Sequence, residues 1–190
     1  MFNHVEIDLP KLQRENIDGV RFYKVPDNGD LLKLVSITSI TSHHNRKIFE
    51  DWRKRVGNEE ADRITKKATS RGTDMHTLVE KYLYNEELPQ VQPLSDILFK
   101  LAKPELAKID NIHSLEGSMY SKQLGIAGTV DCIAEYNGEL AIIDFKTSKK
   151  PKPRDWIEHY FVQCCAYACM LFELTGIVVK KFVILMSCEN

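Results

Sequence analysis

Apolar and polar positions alternate like short strands over the first 35 residues, take up helical spacing to about residue 108, and return to strand-like runs beyond it. Arg21–Val25 and Leu31–Val35 predict two strands about the turn Pro26-Asp27-Asn28-Gly29, a lead-in hairpin packed on the main body. From Ser36 to Glu87 the spacing is helical. Serines and threonines at 38–42 offer N-caps, and Ile48, Phe49, Trp52 and Val56 form an apolar stripe that ends at Gly57-Asn58. A second helix is expected from about Glu59 to Ser70. A third starts near Thr73, with Met75, Leu78, Val79, Tyr82 and Leu83 facing inward. A proline-bearing linker over Leu88–Pro93 leads to a helix over Leu94–Lys108, in which Pro104 predicts a kink or break.

Beyond it, Ile112–Leu124 reads as a first core strand. Val130–Tyr136 and Leu140–Phe145 form a hairpin about Asn137-Gly138, the strongest short turn signal in the chain. The apolar run Leu140-Ala141-Ile142-Ile143 suits a strand buried on both faces. Arg154–Thr175 predicts a long helix with Trp156, Ile157, Tyr160, Phe161, Cys164, Ala168, Leu171 and Phe172 on its apolar side. Gly176 caps it, and Val178–Met186 is the last strand.

Charges interrupt this apolar hairpin at Asp131, Asp144 and Lys146. A buried charge costs several kcal/mol unless it is paired or holds a metal. Side chains alternate along a strand, so Asp144 and Lys146 share a face and Phe145 takes the other. An antiparallel hairpin brings Asp131 close to Asp144. Two readings then stand side by side. One is a buried Asp–Lys ion pair; the other is a carboxylate pair bridged by Mg²⁺ or Mn²⁺ with an ammonium group beside it.

The motifs order themselves in a familiar way. G-T-V-D, about a dozen residues and I-D-F-K-T-S resemble the PD-(D/E)XK nucleases, in particular the RecB-like branch and its exonucleases. R-G-T-D-M-H-T-L-V-E over Arg71–Glu80 resembles the helix that carries that branch's metal-binding histidine, here His76. Q-C-C-A-Y over Gln163–Tyr167 resembles its Q-x-x-x-Y motif. The resemblance implies an α/β fold with a restriction-endonuclease-like core, a mixed central β-sheet flanked by helices, beneath an N-terminal helical layer. On that basis residues 1–35 are the lead-in hairpin and 36–190 the nuclease domain, with the helical layer at 36–108 and the catalytic core at 109–190.

It also implies a metal-dependent DNA exonuclease acting on single-stranded ends. Asp131, Asp144, His76 and the Phe145 carbonyl would hold Mg²⁺ or Mn²⁺. Lys146 would position the attacking water, with Glu116 and Gln163 as further catalytic candidates. Arg71, Thr147, Ser148, Lys149, Lys150, Lys152 and Tyr167 would grip nucleic acid. Glu80, one turn from His76, either orients that histidine or faces solvent. DNA, single-stranded by preference, is the expected partner, with a recombination or replication protein a further candidate. A structure-specific or restriction-like endonuclease and a non-catalytic DNA-binding or recombination-partner module are the alternatives.

Composition narrows the setting. The chain has 190 residues, 43% hydrophobic and 28% charged, as in one globular domain with a sizeable core. No apolar run nears the roughly 20 residues of a membrane span, and the first residues lack signal or transit character, so a cytoplasmic protein is expected. Five cysteines, crowded at Cys164, Cys165 and Cys169, read as reduced apolar filler. Some RecB-like nucleases hold an iron–sulfur cluster through one N-terminal and several C-terminal cysteines, and with no cysteine before Cys132 no cluster is expected. A net charge of −1 argues against blanket electrostatic binding of nucleic acid. The basic residues are patchy, however, with five between Lys146 and Arg154 and no acid among them. Asn45–Arg55 and the group Lys66, Lys67 and Arg71 form two further patches.

Overall fold

A computed structural model describes residues 1–189, apart from the side chain of His44. Strands β1 (Gln13–Ile17), β2 (Val20–Asp27) and β3 (Asp30–Ser36) open the chain as an antiparallel meander. Helices α1 (Ile37–His44), α2 (Arg46–Val56), α3 (Asn58–Leu83) and α4 (Pro93–Leu106) follow. Then come β4 (Ile109–Ser121), β5 (Ile126–Tyr136) and β6 (Glu139–Ser148), a 3-10 turn over Arg154–Ile157, α5 (Glu158–Thr175) and β7 (Lys181–Cys188). All seven strands join one mixed sheet.

Strand β5 is the hub of that sheet. It pairs antiparallel with β4 along nearly its whole length. A strand has only two edges, so β3 and β6 must share the other. β3 runs parallel to it at Ile126 and Ala127, and β6 antiparallel from Cys132 to Tyr136. Between these two partners, Gly128 to Asp131 pairs with no strand on that edge among the described residues. β7 lies parallel to β6 on its far side. The β5–β6 turn has left-handed backbone at Asn137 (φ 53°) and Gly138 (φ 75°), the geometry that a two-residue hairpin demands.

Helices cover both faces of the sheet. On one, Met75, Leu78, Val79 and Leu83 of α3 and Leu98, Phe99 and Leu106 of α4 pack on Ile109, Ile112, Cys132, Ala141, Ile143 and Phe145. On the other, Ile37 of α1 and Cys164, Tyr167, Met170 and Leu171 of α5 pack on Met119, Val130, Ile133 and Ile142. The alternation slips at Asp131: Val130 and Ile133 face α5, whereas Cys132 and Ala134 face α3.

Several expected elements differ. The two helices expected over Glu59–Ser70 and beyond Thr73 are the single helix α3. Gly72 costs about 1 kcal/mol inside a helix, but the packing of Met75, Leu78, Val79 and Leu83 carries the helix through it. Pro104 sits in the last turn of α4 without breaking it. The expected stripe on α2 packs on no core, and none of its residues is buried. On α5, Trp156 before it and Phe172 within it are exposed, while Gln163, Ala166, Tyr167 and Met170 are buried. That helix is apolar nearly all round, so spacing alone does not select its inward face. Of the crowded cysteines only Cys164 is buried; Cys165 and Cys169 are exposed. No helix among the described residues is long and apolar enough to cross a membrane.

Candidate active site

The edge of β5 left open between β3 and β6 is where the charged residues collect. Asp131 ends that stretch, and the backbone N–H of Phe145 donates to its Oδ2 at 2.8 Å. Asp144, one residue earlier on β6, is 2% exposed. Lys146 donates to its Oδ1 at 2.5 Å and lies 3.5 Å from the Phe145 carbonyl. From α3, His76 brings Nδ1 to 3.8 Å from Asp131 and 3.7 Å from Glu116. Its ring meets Phe145 edge-on.

Glu116 reaches this point through an unusual backbone. It sits on β4 between the Leu115–Cys132 and Gly117–Val130 pairs, with φ at +49°. A left-handed glutamate costs of order 1 kcal/mol or more, and such outliers collect at functional sites. Here the outlier turns a carboxylate toward Asp131 and His76.

Electrostatics record the crowding. Burial and the Asp144 charge push the Asp131 carboxyl up to about 7. Burial also raises Asp144, against the pull of Lys146. Burial lowers the His76 imidazolium, but the carboxylates of Glu116 and Asp131 outweigh it and raise its pKa. Lys146 is raised as well, because Asp144 and Asp131 outweigh the cost of burying its ammonium. Glu80 is raised by burial and by the nearby Glu116 charge.

These residues fit a divalent cation. One ligand atom each from His76, Glu116 and Asp131 lie within 4.8 Å of one another. Asp144 Oδ2 is buried with no hydrogen-bond partner among the described residues. A buried carboxylate oxygen left unpaired is costly, and a cation is the partner that would satisfy it. An oxygen-rich set with one imidazole suits Mg²⁺ or Mn²⁺.

Other sequence candidates fall differently. Gln163 and Tyr167 are buried on α5, where the Gln163 amide donates to the Tyr167 hydroxyl at 2.9 Å. The Tyr167 ring lies beneath Gly128, where an added Cβ would come within 2.7 Å of it. The glycine of G-T-V-D therefore makes room for the tyrosine of Q-x-x-x-Y, and Tyr167 belongs to the core rather than to a surface that nucleic acid can reach. Arg71 pairs with Glu189, and its Nε donates to Thr147 Oγ1 at 3.3 Å. Ser148 donates to the Lys150 carbonyl, which folds the start of the basic loop. Lys149, Lys150 and Lys152 are exposed.

A mixed sheet flanked by helices, with D-x-K on one strand of a hairpin and a carboxylate on the other, defines a PD-(D/E)XK nuclease fold. The profile of the PD-(D/E)XK nuclease superfamily matches residues 99–181 of the chain. The chain is similar to mitochondrial genome maintenance exonuclease 1 of Homo sapiens, 26% identical over 164 residues, which span 80% of this chain and 46% of that protein. The Mus musculus protein of the same name is 31% identical over 116 residues, 55% of this chain and 33% of the relative. One subunit of an ATP-dependent helicase/nuclease of Clostridium novyi is 24% identical over 213 residues, 84% of this chain and 17% of the relative. The chain thus spans less than half the length of each of these relatives.

Proposed function

We propose that the chain is a metal-dependent deoxyribonuclease that removes nucleotides from the ends of single-stranded DNA. The buried, unpaired Oδ2 of Asp144 beside the Lys146 ammonium carries this reading. A stable buried ion pair needs hydrogen bonds to its remaining lone pairs, and Oδ2 of the 2%-exposed Asp144 has none among the described residues.

In this reading Asp131, Asp144 and His76 hold Mg²⁺ or Mn²⁺, with the Phe145 carbonyl and Glu116 alongside. When bound, the cation polarises the scissile phosphate and neutralises charge that develops on it. Lys146 orients the attacking water by hydrogen bonding and offers positive charge to the phosphate as it gains negative charge. Glu116, half-exposed and facing His76, can accept a proton from that water. Lys149, Lys150 and Lys152 take neighbouring phosphates, which gives binding without sequence preference. Action at ends rather than within strands rests on the exonuclease relatives.

The test is digestion of end-labelled linear and circular single-stranded DNA with Mg²⁺, Mn²⁺ or EDTA. The proposal expects the linear strand to be degraded with either metal, the circle to survive, and EDTA to stop the reaction. A cut circle would make the enzyme an endonuclease. An intact linear strand in every metal would make the chain a binding module.

A further inference from the structure

We propose that Tyr160 is a positioning residue for Lys146, and that it joins the catalytic lysine to the phosphate-binding loop. This rests on the role given to Lys146 above. Tyr160 lies in the first turn of α5, immediately after the basic loop and its 3-10 turn. Its ring is shared by two ammonium groups. Lys146 Nζ lies 5.1 Å from the ring centroid and Lys152 Nζ 5.6 Å from it. Lys152 also donates to the Tyr160 hydroxyl at 3.3 Å. The His159 ring, 4.0 Å away, braces the tyrosine from its own helix.

The reason for such a contact lies in what Lys146 must do. Without a cation, the Asp144 carboxylate holds the lysine at 2.5 Å. With a cation at Asp144, that carboxylate would hold the lysine less firmly. A lysine side chain has four rotatable bonds, and a freed ammonium would wander. The Tyr160 ring supplies an attraction that no metal can take, because the face of an aromatic ring draws a cation without offering a ligand atom. Lys146 then stays aimed at the site when Asp144 is engaged elsewhere. Lys152 gives the second link, since its phosphate contact is made by an ammonium that rests on the same ring. A phosphate seated in the loop and a lysine poised for attack are thus registered to one side chain.

Single-turnover and steady-state cleavage of end-labelled single-stranded DNA tests this with substitutions at Tyr160. Tyr160→Leu removes the π face and should lower kcat roughly tenfold, the scale of a partly desolvated cation–π contact. KM should rise no further than it does in Lys152→Gln, because the ring reaches phosphate only through Lys152, whereas the fall in kcat comes from Lys146. Tyr160→Phe and Tyr160→Trp keep a ring and should hold kcat within about threefold of the parent. Lys152→Gln leaves the ring on Lys146, and it should raise KM without lowering kcat. Tyr160→Gln, of similar length and without a π face, decides the matter if the leucine variant melts early; its kcat should fall as far. A leucine or glutamine variant that is folded and cleaves at the parental kcat overturns the inference. So does a phenylalanine variant that falls as far as the leucine one. A parent chain that cleaves nothing would instead strike the functional reading beneath it.

Discussion

Burial and the Asp144 charge lift the Asp131 carboxyl from the usual range near 3.8 to about 7, against the opposing pull of His76. Without metal, the folded chain therefore keeps a proton that the unfolded chain has already released. Stability must fall as pH rises through that window, from about 4 to about 7. Thermal melting in EDTA should show this slope in the parent chain, and Asp131→Asn should flatten it and melt higher at pH 7.5. Parallel melting curves for the two proteins would speak against the shift. The orphan oxygen of Asp144 leads to a second expectation, that Asp131→Asn and Asp144→Asn each abolish the calorimetric heat of Mn²⁺ binding. Undiminished binding in either variant would place the cation elsewhere. At this scale the sequence is most legible where charge conflicts with burial. Asp131, Asp144 and Lys146 are conspicuous because apolar strands surround them. Tyr160 is not, since a tyrosine at helical spacing looks like core. Nor is the Arg71–Glu189 pair, whose partners lie 118 positions apart.

Among the elements, β5 and α5 are fitted to each other through a glycine. An added Cβ at Gly128 would meet Tyr167 at 2.7 Å and Ile37 at 3.1 Å. Gly128→Ala should therefore push Tyr167 off its place and strain the Gln163 hydrogen bond, at about 1–3 kcal/mol. Chemical denaturation measures this loss, and an unchanged midpoint would show that the helix yields freely. The loop from Lys149 to Lys152 makes a prediction of another kind. Replacing Lys149, Lys150 and Lys152 with Gln removes up to three phosphate contacts, so the slope of log K against log salt should flatten by roughly 2, at about 0.7 per contact. An unchanged slope would move the DNA path to the basic residues of α2 and α3. The hairpin about Asn137-Gly138 is legible because its turn has a local signature. The pairing of β3 with β5 is not, since two residues of parallel contact between distant segments leave no local trace. Nor is the length of α3, because Gly72 reads as a break and only tertiary packing overrides it.

At the scale of the molecule, a net charge of −1 is divided between an acidic centre and basic surroundings. His76, Glu116, Asp131 and Asp144 gather where β3 and β6 meet along β5, and α3, the basic loop and the start of α5 surround them. The sheet makes this division possible, because its two hydrophobic faces let α3 deliver His76 from one side and α5 deliver Tyr160 from the other. Whether the centre is a catalyst or a structural ion pair turns on Lys146. As half of a structural pair, its loss would leave Asp144 buried and uncompensated, and the chain would unfold at a cost of about 3–5 kcal/mol. As a catalytic group beside a metal site, its loss would leave a carboxylate that a cation or a proton can still neutralise. The decisive measurement is therefore the cleavage rate of Lys146→Ala in Mn²⁺, read together with its melting temperature and its affinity for DNA. Lys146→Ala should cleave roughly a thousandfold more slowly, bind DNA within a few fold of the parent, and keep a fold that Mn²⁺ still stabilises. A folded Lys146→Ala protein that cleaves DNA as fast as the parent would contradict it.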